Sequence, residues 1–409
     1  MMPQPELSAR AAAASIRVAH LLDGRHFGGA EQMVRRLALA SPRVGVAASV
    51  YCLSEGRLSE ALRADGIPHQ VFRSAGRFDL TPLVAMARAA RRDRIQILQA
   101  HTSRTHLMAR LLSRRLGIPN VTQIQSPIAL DENQAHGRHP LRAWVERLGR
   151  PWTDAIVTVC EEEARRLVRE EGAPPARVRS IPNGLDAPDE PDRTAARARM
   201  IQALRERHGV EVGPGEFVVA MIAQMRPRKG PEVLLRAFAQ WRRRGEPGWL
   251  LIIGDDEFVE RGGYLARLKA LAAELGLGDH TVFTGFVAEP WELAAGASLF
   301  ALPSLFGEGL PLVLVEALSR GLPLAVSDIP GNRETVRPGE TGWLHAPGEH
   351  DQLAEALQAA SRNPEQAERM GRGGRRLFLE RYTMDAVLRR FRALYEDLLA
   401  RDRGRHPGS

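Results

Sequence analysis

No run of about 18 apolar residues occurs anywhere in the 409-residue chain, which argues against a membrane-spanning helix. The opening MMPQPELSARAAAASIRVAHLLD carries Glu6, Ser8 and Arg10 where a signal peptide needs an uninterrupted apolar stretch before a cleavage site, so no leader is expected either. Cysteine is scarce. Cys52 and Cys160 each stand alone in an apolar, strand-like run and cannot build a disulfide framework or a zinc site, which fits a reducing cytoplasm. Lysine is as rare: Lys229 and Lys269 are the lysines among 57 Lys plus Arg, a usage that fits a high-GC genome. What is present describes a globular protein, because 44% hydrophobic and 26% charged residues can form a real core and lie far from the makeup of a disordered chain. The length suits two domains of about 200 residues each.

Charge is unevenly divided. Residues 1–185 hold 27 Arg against 17 acids and residues 186–409 hold 30 Arg plus Lys against 32 acids, so the halves carry about +10 and −2. A basic half suits phosphate groups or the anionic inner leaflet of a membrane, and a merely solvated surface is the other reading. Arg usage explains the missing lysines but not the asymmetry.

Short apolar runs alternate with helical patterns through both halves, the rhythm of parallel sheets covered by helices on both faces. In the first half, strands are predicted at 16–23, 45–53, 69–73, 95–101, 121–125, 155–160 and 178–181. A second series is predicted at 217–224, 249–254, 281–286, 298–303 and 322–327. Between them lies the punctuated stretch Ile181-Pro-Asn-Gly-Leu-Asp-Ala-Pro-Asp-Glu-Pro191, where the domain boundary is placed. After Pro347 the pattern is helical to the end, and Val387, Leu388, Phe391, Leu394, Tyr395, Leu398 and Leu399 form an apolar stripe that must pack on something. The expected division is therefore 1–185, 186–385, and a closing helix and tail at 386–409. Function is expected in strand-to-helix turns at the carboxyl ends of the sheets.

Four turns have unusual content. In Phe27-Gly28-Gly29-Ala30-Glu31 the glycines and the following helix N-terminus suit a phosphate, or make an ordinary turn; the spacing is not the G-x-G-x-x-G of a dinucleotide site. His101 closes a strand just before a helix, so it is a candidate hydrogen-bond partner for a ligand or a satisfied structural histidine. Arg226, Arg228 and Lys229 crowd the first turn of the second series, where cations and a helix dipole suit a leaving diphosphate, with a solvated basic turn as the alternative. Finally Phe306-Gly307-Glu308-Gly309-Leu310-Pro311 leads into a helix carrying Glu316, expected to be buried in an otherwise apolar face. Carboxylates in such places accept from paired hydroxyls of sugars or riboses.

Glu308 and Glu316 form an E-x7-E pattern. With Gly28-Gly29-Ala30-Glu31, His101, Ile181-Pro-Asn-Gly184, Lys229-Gly230, Gly331-x-x-Glu334 and Gly339-x-Thr341-Gly342 in this order, the chain resembles a family-four retaining glycosyltransferase of the GT-B fold, over roughly residues 16–399. Each motif alone is weak and the ordered set is specific. The resemblance implies an α/β fold of two Rossmann-like, doubly wound domains facing across a cleft, with the C-terminal helix packing back on the first. It implies an acceptor-binding first domain, a nucleotide-sugar-binding second domain, and transfer of a sugar, a hexose above all, from a UDP- or GDP-type donor with retained configuration.

Under it His101, Lys229 and Glu308 are catalytic: His101 bonds the transferred sugar, Lys229 with Arg226 or Arg228 stabilises the leaving diphosphate, and Glu308 holds sugar hydroxyls. Gly28, Gly29, Gly309, Leu310 and Pro311 line the donor, and Glu316 binds its ribose. No cofactor or metal is implied, no protein nucleophile is found, and no nucleic-acid partner is expected. The acceptor is expected to be a lipid-linked or polysaccharide-precursor glycan, and the protein cytoplasmic, peripheral on the inner membrane face. Departures from the family pattern are Gln224 in place of Arg, Gly254-Asp255-Asp256 for Gly-Asp-Gly, Ser298 for Asp and Gln125 for His. A nucleotide-sugar epimerase of the same fold and a catalytically inactive sugar binder are the alternatives.

Overall fold

The computed structural model describes residues 15–25, 28–74, 79–125, 146–213, 215–256 and 263–405. The opening residues 1–14, Phe27 of the glycine turn, Pro214 and the tail at 406–409 lie outside them. The chain forms two units, residues 1–186 with 382–409, and residues 187–381.

In the first unit the apolar runs become a parallel sheet in the order β3-β2-β1-β4-β5-β6-β7. Its strands are β1 (Ile16–Leu22), β2 (Val46–Cys52), β3 (His69–Val71), β4 (Ile97–Ala100), β5 (Asn120–Ile124), β6 (Ala155–Thr158) and β7 (Val178–Ser180). β1 pairs with β2 through Val18↔Ala48 and with β4 through Val18↔Ile97. β4 is covered on both faces and is buried along its whole length, Gln99 included. Helices Arg57–Ala64 and Pro82–Arg92 fill connections that the sequence reading left unassigned.

The chain returns to this unit at its end: the N–H of Leu185 donates to the Tyr382 carbonyl at 2.9 Å, and helix Met384–Arg405 follows. Val387, Leu388, Phe391, Leu394, Tyr395 and Leu398 are buried. Each contributes roughly 1.5–3 kcal/mol by leaving water. The Tyr395 hydroxyl reaches Gln99 of β4, and Gln99 Nε2 donates to Gln123 Oε1 of β5 at 2.6 Å, so a buried polar chain ties the closing helix to the sheet.

The second unit holds a parallel sheet in the order β10-β9-β8-β11-β12-β13. Its strands are β8 (Phe217–Ile222), β9 (Gly248–Ile253), β10 (Thr281–Gly285), β11 (Leu299–Leu302), β12 (Leu324–Ser327) and β13 (Gly342–His345). β13 was not anticipated, because four residues beginning on glycine and ending on histidine carry little strand signal; it pairs with β12 through Leu324↔Gly342. Both sheets have the doubly wound plan. In each, strand order reverses beside the first strand, between β1 and β4 and between β8 and β11, and the crevice outside the carboxyl ends of such a pair is where ligands bind in open α/β sheets.

Candidate functional site

In the second unit the turn after β8 and the loop after β11 meet at this reversal. Pro227–Lys229 forms one turn of 3-10 helix, and helix Pro231–Arg243 starts directly behind it. Gly230 joins them with φ +70°, and a Cβ there would lie 2.1 Å from the Pro303 carbonyl oxygen, so only glycine lets the basic turn abut the end of β11. The Leu305 N–H donates to the Arg228 carbonyl at 2.7 Å and locks turn to loop. Arg226 precedes the turn in extended conformation, half-buried.

This geometry gathers charge around Glu308, which is 6% exposed. Its Oε1 lies 2.5 Å from Lys229 Nζ and 3.2 Å from Arg228, and it accepts from the Ser304 hydroxyl at 2.8 Å. Burial alone would raise the Glu308 carboxyl above its ordinary value, but the adjoining Lys229 and Arg228 charges and these hydrogen bonds reverse that and hold it below. The carboxylate is therefore ionised, and two cations are fixed beside it at a helix N-terminus. Ser304 is a member of the cluster that the sequence reading passed over; its signal was the position directly after Pro303 in the same run.

The loop continues through buried Gly309, Leu310 and Pro311. Gly331 approaches it so closely that a Cβ would lie 1.9 Å from the Gly309 carbonyl oxygen, which gives the Gly331-x-x-Glu334 motif a packing role. Pro311 is the cap of helix Leu312–Ser319 rather than its first residue. Glu316 corrects an expectation: it is partly exposed, not buried in an apolar face, because the helix turns Leu314, Val315, Ala317 and Leu318 inward instead. Its Oε2 accepts from Trp291 Nε1 at 3.0 Å, and the Arg320 guanidinium stacks 4.4 Å from the Trp291 ring centre. Trp291 was also missed, since nothing in its segment marks a partner 25 residues on.

The departures find partial accounts. Ser298 Oγ accepts from the Val218 N–H at 3.1 Å, an acceptor role open to an aspartate as well. Asp255 offers its carbonyl to the Met225 N–H at 2.7 Å, and Asp256 Oδ2 accepts from the Leu265 N–H at 2.9 Å at the start of helix Tyr264–Glu274. Gln224 is half-buried, and nothing in the structure explains it.

In the first unit, Gly28 and Gly29 are exposed where helix Gly29–Ala40 begins after β1. The Gly28 N–H donates to Glu31 Oε2 at 3.0 Å, so the helix's own carboxylate takes a donor that the sequence reading offered to an anion. His101 stands just past β4 with Thr102 capping helix Ser103–Leu116 behind it. It is 5% exposed, and its Nε2 lies 3.1 Å from Nδ1 of His20 on β1. Burial drives the His101 imidazole well below its ordinary value, with His20 and His106 adding to the effect. His101 is thus neutral. Beneath it, His106 and Arg110 hold buried Glu146, at 2.9 and 2.8 Å. Among the described residues no three His, Cys, Asp or Glu side chains gather as a metal site requires, and no helix is long and apolar enough to cross a membrane.

Comparison with known proteins follows this division. Residues 27–188 match the family model Glycosyltransferase Family 4, and residues 204–377 match Glycosyl transferases group 1. The chain is 35% identical over 241 residues to the GDP-mannose-dependent alpha-(1-6)-phosphatidylinositol monomannoside mannosyltransferase of Mycolicibacterium smegmatis, a match covering 56% of this chain and 58% of that protein. The match thus spans less than two thirds of that relative's length. Identity is 27% over 295 residues to the alpha-D-kanosaminyltransferase of Streptomyces kanamyceticus, covering 70% of this chain and 73% of that one. The crystal structure of Anabaena HepE in complex with UDP superimposes with a TM-score of 0.79 at 21% identity, over 93% of this chain and 100% of that one, a likeness of fold.

Proposed function

The chain belongs to the glycosyltransferases, family 4 in its first part and group 1 in its second, with the GT-B fold, and on that premise we propose that it moves a hexose from a UDP- or GDP-type sugar to a glycan or lipid-linked acceptor with retained configuration. The observation that carries this reading is the cluster of Lys229 and Arg228 on Glu308 at the β8–β11 reversal. A departing nucleotide diphosphate gains negative charge as the glycosidic bond breaks, and cations fixed beforehand at a helix N-terminus stabilise that charge without reorganising. Glu308, kept ionised, accepts from hydroxyls of the transferred sugar, and Glu316 from those of the ribose. The first unit, which carries His101, neutral and buried, binds the acceptor. Arg226 adds charge at the diphosphate in place of the Arg that Gln224 displaces, and no metal is required.

The GDP-mannose donor and phosphatidylinositol-linked acceptor named for the mycobacterial relative, and the UDP bound by the Anabaena protein, support this class of donor and a lipid-borne acceptor. The positive charge of residues 1–185 supports a cytoplasmic protein resting on an anionic membrane. The transferase names of these relatives favour transfer over epimerisation.

The test is a panel of UDP- and GDP-sugars with the pure full chain, followed by mass analysis of released nucleotide. Turnover with at least one donor, much weakened at low donor concentration in Glu316→Ala, is expected, and the anomeric configuration of the product is then assigned by NMR. No release from any donor, with Glu316→Ala equally silent, sinks the reading. Cosedimentation with phosphatidylglycerol vesicles, strong at low salt and weak at high salt, checks the membrane part.

A further inference from the structure

Helices Pro82–Arg92 and Ser103–Leu116 of the first unit precede and follow β4 and pack side by side, burying Met86, Ala90, Met108 and Leu112 in one core. Neither helix holds an aspartate or a glutamate, while the first holds three arginines and the second four. Helices Gly29–Ala40, Arg57–Ala64 and Met384–Arg405 of the same unit each carry acids. Acids in the first turn of a helix and cations in the last are favoured by its dipole. The dipole accounts for Arg91, Arg92, Arg114 and Arg115 in the last turns. It accounts neither for the missing acids nor for Arg88, which repels Arg91 and Arg92 one turn on.

Toward the interior this charge is matched, Arg104 lying 3.7 Å from Asp23 and Arg110 2.8 Å from Glu146. On the outside it is not. Arg88, Arg91, Arg114 and Arg115 are exposed and form no ion pair among the described residues. Apolar side chains share this face. Leu80 and Val84, 41% and 50% exposed, continue the line of Arg88 and Arg91 toward the start of the helix. At the other helix the Arg114 guanidinium lies 5.2 Å from the ring centre of exposed Trp152. Such a mixture suits the headgroup region of a bilayer, where arginine meets phosphate, tryptophan sits at the boundary and aliphatic side chains leave water. A nucleic-acid backbone would engage the arginines and leave Leu80 and Val84 in water.

We infer that the outer face of helices Pro82–Arg92 and Ser103–Leu116 is the surface by which this chain lies on an anionic bilayer, with Leu80 and Val84 entering it and Arg88, Arg91, Arg114 and Arg115 on lipid phosphates. This rests on the membrane part of the reading above and says which face carries it. Both helices begin after the carboxyl ends of the strands before them, β3 and β4, so the apolar end of the face and the crevice of the first unit's sheet lie at the same edge.

The test is cosedimentation of the full chain with vesicles of phosphatidylglycerol in phosphatidylcholine at about 0.1 M salt. Arg88→Gln, Arg91→Gln, Arg114→Gln and Arg115→Gln together are expected to lower the partition coefficient about 10³-fold. The same change of charge on exposed positions of other helices, Arg63→Gln, Arg165→Gln, Arg169→Gln and Arg389→Gln, is expected to lower it less than about tenfold. Equal losses in the two variants overturn the proposal. Cys52 and Cys160 are buried, so an environment-sensitive thiol label attaches selectively to Val84→Cys. Its emission is expected to shift to the blue on adding vesicles, and an unmoved emission in a bound chain overturns the proposal. Binding to duplex DNA as tight as to the vesicles at the same salt overturns it in favour of a nucleic-acid face. If the unaltered chain binds no vesicles, the membrane reading falls and this face with it, whereas binding undiminished by the four substitutions overturns this face alone. A chain that binds as expected but releases nucleotide from no donor overturns the transferase reading alone.

Discussion

Glu146 in the first unit and Glu308 in the second are both buried and both held ionised by neighbours, yet they do different work. Glu146 is 4% exposed and takes His106 and Arg110 from one helix, Ser103–Leu116, with Arg110 Nε donating on to Thr153 at 2.9 Å. Burial would raise its carboxyl, and these partners instead carry it down to about 2. Those partners' side chains are only 2% exposed, so the network is closed. Glu308 draws its cations from another strand's turn, at the point where strand order reverses, and the Lys229 and Arg228 side chains keep 14% exposure. A buried charge is thus no sign of a site in itself. What distinguishes the two is whether the partners can still be reached by a ligand.

Removing a reachable cation is the strongest way to sharpen that difference. Lys229→Met keeps the apolar stem and loses the charge, and kcat/KM for the accepted donor is expected to fall about 10³-fold, or ~4 kcal/mol of transition-state stabilisation. Glu146→Gln is expected to do the reverse. It leaves Arg110 buried without its countercharge and lowers the stability seen in urea unfolding by about 3 kcal/mol, while turnover at a permissive temperature stays within about twofold. Loss of turnover without loss of stability would erase the contrast. Acid sharpens it too. Glu146 is depressed on folding, so its contribution is complete above the ordinary carboxyl value of 4.5 and is lost as the pH falls toward about 2. In Glu146→Gln that part of the acid destabilisation should vanish. Glu308→Gln, smaller in effect, keeps shape and an acceptor oxygen but not the charge, and a roughly 10²-fold loss in kcat/KM is expected, equivalent to ~2.7 kcal/mol.

The contrast also separates what is legible in the sequence from what is not. β8 and β9 are legible because strands buried on both faces leave continuous apolar runs such as Leu250–Ile253. The Glu308 loop is legible because its motif lies within one contiguous stretch. The ion cluster is not, since Lys229 stands 79 residues from Glu308 and only the pairing of β8 with β11 joins them. Glu146 gave no signal for the same reason, its partners lying 36 and 40 residues before it. The approach of His20 to His101 depends likewise on β4 lying alongside β1. The Gly28 turn, open in sequence to a phosphate or to an ordinary turn, has one of its N–H groups taken by Glu31 three residues away, a contact that the residue types alone do not announce.

The smallest expected effect tests the other end of the Glu308 loop, where the neutral Trp291 N–H donates to the Glu316 carboxylate. The Trp291 indole packs against the Arg320 guanidinium and against Phe300, whose ring centre is 5.4 Å away, and its N–H donates to Glu316 Oε2. Trp291→Phe keeps an aromatic ring in that place and deletes the N–H. If the indole orients Glu316 toward the ribose, KM for the donor should rise roughly threefold with kcat almost unchanged, the cost of one neutral hydrogen bond in a partly exposed place. Glu316→Ala should raise the same KM much further, because it removes the acceptor rather than its orientation. A Trp291→Phe enzyme that lowers kcat at constant KM would mean that this carboxylate acts in the transition state, and the division of labour between the two glutamates would have to be redrawn.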